Sequence, residues 1–191
     1  LRYPYGCAEQ TASKGYAALM LDAPTATAYG MSPLPGDERL RRMEGALGRL
    51  AALQAGSGHF AMWGGSGRGE PMLTPYIAEF LLDARDGGFD VPDGMLQKAL
   101  AALSEDLLSN GQQFYGRNNR EHLKLAYRAH AGYVLARVNR APLGTLRAIH
   151  DGERGSARSA MPLAHLALAL SLQVDRERAA QALDEAFAWK G

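Results

Sequence analysis

Runs of apolar residues at helical spacing, divided by turns that contain glycine or proline, dominate this sequence. Apolar residues that recur every three or four positions predict amphipathic helices, whereas no segment shows the period-two alternation of a half-buried strand. The first helix is expected from Ala8 to about Leu21, before Pro24. The chain is therefore predicted to be all-α, with little or no strand.

The predicted helices are of two kinds, which alternate along the chain. The first kind is apolar on most faces and is found near 75–86, 121–138 and 158–172; the second carries one apolar stripe and is found near 37–53, 92–108 and 175–189. A helix that is apolar all round is buried on all sides, while a striped helix faces water on one side. Two concentric layers are therefore expected. The recurrence favours an α/α toroid of about four helical hairpins, with an open solenoid as the alternative.

Two local expectations concern the burial and the start of particular helices. In segment 37–53, one face carries Leu40, Met43, Leu47 and Leu50, which are predicted to be buried together. Farther along, Thr74 and Pro75 are expected to serve as the N-cap and first-turn proline of the next helix.

Composition excludes several classes of function. The 191 residues include 47% hydrophobic and 21% charged residues and carry a net charge of +1. A packed core is therefore expected, and without a basic block neither nucleic acid nor a membrane surface is a favoured partner. The lone cysteine excludes an internal disulfide. The start at Leu1 and the lack of a signal peptide predict a fragment of a longer protein, with its targeting segment upstream.

That lone cysteine lies in the segment Gly6-Cys7-Ala8-Glu9-Gln10. The three-residue spacing lets the Cys7 thiol reach the Gln10 carboxamide across one turn of chain. Loss of ammonia would then leave an internal thioester, in which Cys7 supplies the sulfur and Gln10 the acyl carbon. A thioester is a better acyl donor than an amide because a thiolate is the better leaving group. Such a bond must be shielded from water until it is used.

The wider string Tyr3-Pro4-Tyr5-Gly6-Cys7-Ala8-Glu9-Gln10-Thr11 resembles the thioester region of the α2-macroglobulin and complement family, and most closely its bacterial members. The resemblance implies that residues 1–191 are part of a thioester domain, an α/α toroid of about six helix pairs in this family. It also implies a module that traps proteases covalently in the periplasm of Gram-negative bacteria. Its partners would be the attacking protease and the other domains of the parent protein, whose signal or lipid anchor lies upstream.

The resemblance and the local chemistry assign roles around the motif. Gly6 is expected to allow a tight turn, and Glu9 to lie in the first turn of a helix, where a carboxylate is favoured by the helix dipole. Aromatic side chains that pack over the bond are implied at Tyr3 and Tyr5, and Trp63 on the glycine-rich loop 55–69 is the other candidate lid. Ordinary core packing remains the alternative for all three.

A histidine assists acyl transfer in complement proteins that target hydroxyl groups. The corresponding stretch here is near 109–122, where His122 is the candidate, with a solvated or capping role as the favoured interpretation. Tyr115, Asn118 and Asn119 fit that position in the sequence equally well. Without such a histidine, amines such as the lysine side chain are the expected acceptors. The other histidines, His59, His130, His150 and His165, lie on separate predicted elements, so neither a metal site nor a cofactor is expected.

Three other functions stay open from the residues alone. A cysteine-dependent acyltransferase or protease needs a base near Cys7, for which His122 or His130 would require an unforeseen contact. A carbohydrate-active toroid would use paired carboxylates, and Asp83, Asp86, Asp90 and Asp93 cluster near one turn, although they suit a solvated loop better. A helical scaffold would give Cys7 and Gln10 no chemical role. The thioester reading predicts a single-use transfer and hence no enzymatic turnover.

Overall fold

The computed structural model describes residues 6–64, 69–70, 72–109 and 119–189, and over these residues the chain is helical. Its helices are α1 (Ala8–Met20), α2 (Ala23–Ala28), α3 (Gly36–Leu53), α4 (Leu73–Asp86), α5 (Asp93–Ser109), α6 (Arg120–Arg137), α7 (Leu143–Glu153), α8 (Ala160–Leu172) and α9 (Arg176–Ala188). A 3₁₀ turn, Arg154–Ser156, follows α7. Within the described ranges the β structure amounts to one isolated bridge between Gln54 and Phe60. The all-α prediction is confirmed.

The chain divides into two compact units, residues 1–99 and 100–191, and α5 begins in the first and ends in the second. In the first unit, α1 packs against α3 and α4. In the second, α6 packs against α8, and α8 against α9. Helical hairpins are therefore present, while their arrangement in a closed toroid stays a prediction.

Close contact between α1 and α4 fixes α1 in the first unit. A Cβ built on Gly15 would lie 2.3 Å from Cζ of Phe80, closer than two carbon atoms can approach. Beside it, the Tyr16 hydroxyl donates to Asp83 at 2.9 Å. Burial, reinforced by the Asp83 charge, raises the pKa of Tyr16 far above its usual value, so that this hydroxyl keeps its proton. Only glycine at position 15 permits this approach of the two helices.

Both ends of α1 are held by groups from elsewhere in the first unit. At its C-terminal end, the Arg39 guanidinium donates to the carbonyl oxygens of Ala18 and Leu19 at 2.6 and 2.7 Å. These carbonyls lie in the last turn of α1, where carbonyl groups lack hydrogen-bond partners within the helix. At the other end, the amide of Ala8 donates to the carbonyl of Met62 at 3.0 Å. The start of α1 is thereby fixed to the segment that follows α3.

The second unit contains two polar pairs among its apolar helices. The Tyr127 hydroxyl donates to Asp106, and burial raises the pKa of Tyr127 far above its usual value. Arg128 pairs with Glu153, which Lys124 also approaches at 3.7 Å. Pairing of this kind offsets the free-energy cost of removing charged groups from water.

Four details of the sequence prediction are corrected by the structure. Leu40 is 48% exposed, whereas Met43, Leu47 and Leu50 are buried as expected. Helix α4 begins at Leu73, so Thr74 lies inside its first turn and its hydroxyl accepts a hydrogen bond from the Phe60 amide instead of capping the helix. The short helix α2 was not expected, because Pro24 was taken as a stop although proline fits a first helical turn.

The fourth correction concerns α8, whose apolar composition predicted burial on all sides. Leu163, Leu166 and Leu170 are buried, but Met161, Leu168 and Leu172 are exposed. Within the second unit, α6, α7 and α9 contact α8 on only part of its circumference. Composition alone therefore overestimated its burial. Across the described helices, none is long and apolar enough to cross a membrane.

Candidate functional site

Cys7 is the N-cap of α1. Its backbone is extended, with φ −64° and ψ 168°, and its Sγ accepts a hydrogen bond from the Gln10 amide at 3.4 Å. This is the contact that a serine or aspartate oxygen usually makes at a helix start, here made by a weaker sulfur acceptor. The Cys7 side chain is thereby folded back over the first turn of α1, toward Gln10.

The spacing of Cys7 and Gln10 is that of a capping box, whose two side chains bond each other's backbone amides. Gln10 is the third helical residue, after Ala8 and Glu9, and the bond from its amide to Cys7 Sγ is the half of the box that is present. The Gln10 carboxamide lies near Gly6, since a Cβ built on Gly6 would be 3.8 Å from Gln10 Oε1. The thiol and the carboxamide therefore belong to one turn, with Ala8 and Glu9 between them in the chain.

The turn at Gly6 does not use a left-handed backbone. Its φ lies outside the left-handed region, so its conformation is open to other residues. A Cβ there would contact Thr11 Oγ1 at 3.4 Å and the Gln10 side chain at 3.8 Å, which are ordinary van der Waals distances. The role of Gly6 in a tight turn therefore stays a prediction.

The backbone of the motif is fixed by three hydrogen bonds. The Cys7 carbonyl accepts from the Thr11 amide at 2.9 Å and from the Thr11 hydroxyl at 2.8 Å. The Ala8 amide donates to Met62, as described above, and the Ala8 side chain is fully buried. Sequence reasoning missed Thr11 as part of the site, although a threonine four residues after a cap is placed to bond the cap carbonyl. The Met62 contact is a tertiary one that no local pattern indicates.

Glu9 lies between the two candidate reactive residues, in the first turn as expected. One carboxylate oxygen is 4.0 Å from Cys7 Sγ, and the other accepts from the Ser13 hydroxyl at 3.4 Å. The Ser13 hydroxyl also lies 3.0 Å from the hydroxyl of Tyr76. A row of polar side chains therefore runs from the sulfur along the exposed side of α1, another arrangement that the sequence did not reveal.

Exposure differs sharply across the site. Cys7 is only 5% exposed, whereas Gln10 is exposed. The lid residues Tyr3 and Tyr5 lie outside the described residues. Trp63 follows Met62, whose carbonyl contacts the motif, but the Trp63 side chain is itself 57% exposed. The Cys7 side chain is therefore buried, while the neighbouring Gln10 is exposed.

His122 lies in the first turn of α6, and its Nδ1 accepts a hydrogen bond from the Arg158 amide at 3.1 Å. Arg158 precedes the N-cap of α8, so this bond joins two segments of the second unit and does not cap a helix. The part of His122 in acyl transfer stays a prediction. Asn119 precedes α6 with a left-handed φ of 67°, while Tyr115 and Asn118 lie outside the described residues. The remaining histidines lie on separate elements, as expected, although the rings of His130 in α6 and His165 in α8 stack at 4.1 Å.

Comparison with known proteins identifies relatives over nearly the whole chain. No profile of a known protein family matches it. The chain is 61% identical to α2-macroglobulin of Xylella fastidiosa over 186 residues, which are 97% of this chain and 11% of that protein. It is 34% identical to the α2-macroglobulin of Escherichia coli, over 95% of this chain and 11% of that protein. The chain thus spans about a tenth of the length of these relatives.

A solved structure agrees with the sequence relatives. Salmonella α2-macroglobulin reacted with methylamine superposes with a TM-score of 0.89 at 34% identity, over 97% of this chain and 12% of that one. Both sequence and fold are therefore shared along almost every described helix. The chain is homologous to a segment of the bacterial α2-macroglobulins and belongs to that family.

Proposed function

We propose that this chain is the thioester-bearing part of a bacterial α2-macroglobulin and acts as the covalent arm of a protease trap. The observation that carries the proposal is the hydrogen bond that Cys7 Sγ accepts from the backbone amide of Gln10, at the first turn of a helix anchored by Met62 and Thr11. A cap formed by the thiol at the start of the turn that carries the carboxamide supports the proposal, because it keeps the two side chains on one turn.

Formation of the bond is a condensation within one helical turn. The Cys7 sulfur attacks Cδ of Gln10, the C–N bond of the carboxamide breaks, and ammonia leaves with the thiol proton. The free amide hydrogen of Gln10 stays available as the capping donor, because the reaction uses only its side chain. The neighbouring row of Glu9, Ser13 and Tyr76 supplies polar groups beside the sulfur for movement of that proton.

Transfer consumes the bond once. A lysine amine on the attacking protease adds to Cδ of Gln10, the C–S bond breaks, and the amine proton ends on the departing Cys7 sulfur. The products are an isopeptide bond and a free thiol, so the protein is spent and does not turn over. Exposure of Gln10 beside a buried Cys7 suits this direction of attack.

The family membership supports the remaining parts of the proposal. The trigger, cleavage of a bait segment, would lie elsewhere in the parent protein, whose other domains would be the partners of this one. The same membership supports a periplasmic location for the parent protein, and we place its signal or lipid anchor upstream of this chain as part of the proposal. The Salmonella relative described as reacted with methylamine makes amine acceptors the natural first test.

The test is the intact mass of the full parent protein before and after methylamine. A formed thioester lowers the mass by one ammonia; methylamine then adds to Gln10, and one thiol at Cys7 becomes open to alkylation. Cys7→Ala and Gln10→Ala variants serve as controls that should show neither change. Immediate alkylation of Cys7, together with no methylamine adduct, would refute the proposal and leave a helical scaffold.

A further inference from the structure

A cleft of about 580 Å³ lies between α1 and α3, directly beside the Cys7–Gln10 turn. Gly6 and Thr11 form part of its wall, so it begins where the motif ends. Its remaining walls combine alanine, glycine and leucine residues with three cationic side chains, Lys14, Arg42 and Arg49. No Asp or Glu is found among the described residues that line it.

The register of the two helices puts Arg49 next to the motif. Helices α1 and α3 are antiparallel, because Arg39 near the start of α3 contacts the last turn of α1. At the other end, the Leu53 carbonyl accepts from Ala61, one residue before the Met62 that bonds Ala8. Arg49 precedes Leu53 by four residues, about 6 Å of helix rise, and so lies level with the first turns of α1.

Two of the three cations are unpaired among the described residues. Arg42 donates to Glu38 at 2.7 Å, but neither Lys14 nor Arg49 meets a described carboxylate. The Nε of Arg49 is also shielded from solvent and has no hydrogen-bond acceptor within the described part of the chain. A buried guanidinium N–H without an acceptor costs free energy, and a planar oxyanion is the partner that best matches its geometry.

Lys14 connects the cleft to the acyl group. It follows Gln10 by four residues, which places both side chains on the same face of α1, about 6 Å apart along its axis. The Gln10 carboxamide oxygen also lies beside Gly6, which lines the cleft. A molecule held between Lys14 and Arg49 would therefore present its neighbouring groups to the acyl carbon of Gln10.

We propose that this cleft is a carboxylate-binding subsite that selects the acceptor of the acyl group. It binds a carboxylate that lies close to the attacking amine, which in a protease is an Asp or Glu side chain beside the reactive lysine, and so holds that amine against Gln10. The inference rests on the proposed function, since it names which amines the thioester prefers. The carboxylate binds by charge and hydrogen bonds only and is unchanged when the amine displaces the Cys7 sulfur.

The test is a competition between two acceptors that share the same amine. Nα-acetyl-lysine carries a free carboxylate, and Nα-acetyl-lysine methylamide replaces it with a neutral amide. Both are added in equal amounts to the full parent protein while its thioester reacts, and mass spectrometry gives the ratio of the two adducts on Gln10. The ratio is internal to one sample, so it does not depend on how much of the thioester is intact.

The carboxylate adduct should exceed the methylamide adduct by about five-fold, the effect of one partly exposed charge-assisted hydrogen bond. Arg49→Gln and Lys14→Gln should each bring the ratio toward one. Arg41→Gln should not change it, because Arg41 lies exposed on the same helix but pairs with Asp37 and Glu38 outside the cleft. Salt of about 1 M, with a Debye length near 3 Å, should lower the wild-type ratio.

A ratio of one in the wild-type protein would overturn the subsite while leaving the thioester intact. A high ratio that survives both Arg49→Gln and Lys14→Gln would also overturn it, since the preference would then arise elsewhere. Lack of either adduct, with Cys7 alkylated from the start, would instead refute the proposed function itself. If Arg49→Gln fails to fold, the exposed Lys14→Gln variant decides the question.

Discussion

Helices α1 and α9 begin with different N-cap residues, and the comparison shows which of the two caps suits helix stability. Helix α9 is capped by Asp175, whose carboxylate accepts from the Arg178 amide at 3.4 Å and from the Arg147 side chain at 2.6 Å. Helix α1 is capped by the sulfur of Cys7, a much weaker acceptor. A cap chosen for stability alone would be Ser, Asp or Asn, as at α9.

The two helices are also attached differently. Helix α9 packs on α8 but buries only Ala179 and Ala182, and its N-terminus is held by the cap and ion pairs of Asp175. The body of α1 is close-packed against Phe80 at Gly15, and both of its ends are held by hydrogen bonds from other segments. With α1 held in this way, its N-cap position can carry a weak cap such as Cys7, the residue to which we assign a chemical role.

The largest effect is expected from Cys7→Ser. This change improves the cap acceptor but removes the sulfur, so methylamine uptake and thiol release should disappear completely. The free energy of unfolding should change by less than about 1 kcal/mol, because the stronger oxygen cap offsets the lost contacts of the sulfur. Mass spectrometry and denaturant unfolding measure the two quantities. A loss of several kcal/mol would show that the sulfur is a structural group after all.

Gly15→Ala tests whether packing holds α1. The new Cβ would clash with the Phe80 ring, and the free energy of unfolding should fall by about 2 kcal/mol, as measured in denaturant. The matched control is Gly48→Ala in α3, where a Cβ meets open space and stability should rise by roughly 0.5–1 kcal/mol. Equal effects of the two changes would contradict the importance given to the contact with Phe80.

Asp175→Ala tests whether the cap holds α9. Loss of the cap and of the pairs with Arg147 and Arg178 should lower the melting temperature by a few degrees. Asp184→Ala, an exposed position on the same helix, provides the control and should have little effect. A similar melting temperature for both variants would remove the contrast between the two helix starts.

The smallest expected effect is a change in melting temperature at acidic pH. The Arg178 guanidinium, and then His150, lower the pKa of Asp151 to about 2. Because the folded-state pKa is depressed, this stabilisation is complete above the ordinary pKa of about 3.9 and is lost as the pH falls through about 2. The difference in melting temperature between wild type and Arg178→Gln should therefore be constant near neutrality and shrink below about pH 4. Arg176→Gln should show no such trend, and a constant Arg178 difference down to about pH 2 would contradict the assignment.

Local patterns in the sequence predicted most of the helices and the neighbourhood of Cys7 and Gln10. Both depend on short-range periodicity: the predicted start of α1 at Ala8 matches the structure, and a three-residue spacing fixes which side chains share a turn. The exposure of Leu40 and of the outer side of α8 could not be read from composition, because burial depends on which neighbours are present.

Local sequence patterns could not predict the tertiary contacts of the site. The bond from Ala8 to Met62, the row from Glu9 to Tyr76, and the cationic side chains of α1 and α3 in one cleft all join residues far apart in the chain. Their juxtaposition depends on the antiparallel register of α1 and α3, for which no local residue pattern is diagnostic. The stacking of His130 on His165 has the same origin.

The contact between Ala8 and Met62 has a kinetic consequence. The opening turn of an unsupported helix frays, and its side chains then meet only in a fraction of conformations. Here the Met62 carbonyl, from a distant segment, bonds the Ala8 amide and opposes fraying at that turn. For the thioester proposed above, the ordered turn would raise the effective concentration of the Cys7 thiol at the Gln10 carboxamide, so formation of the bond would depend on a partner more than fifty residues away in sequence.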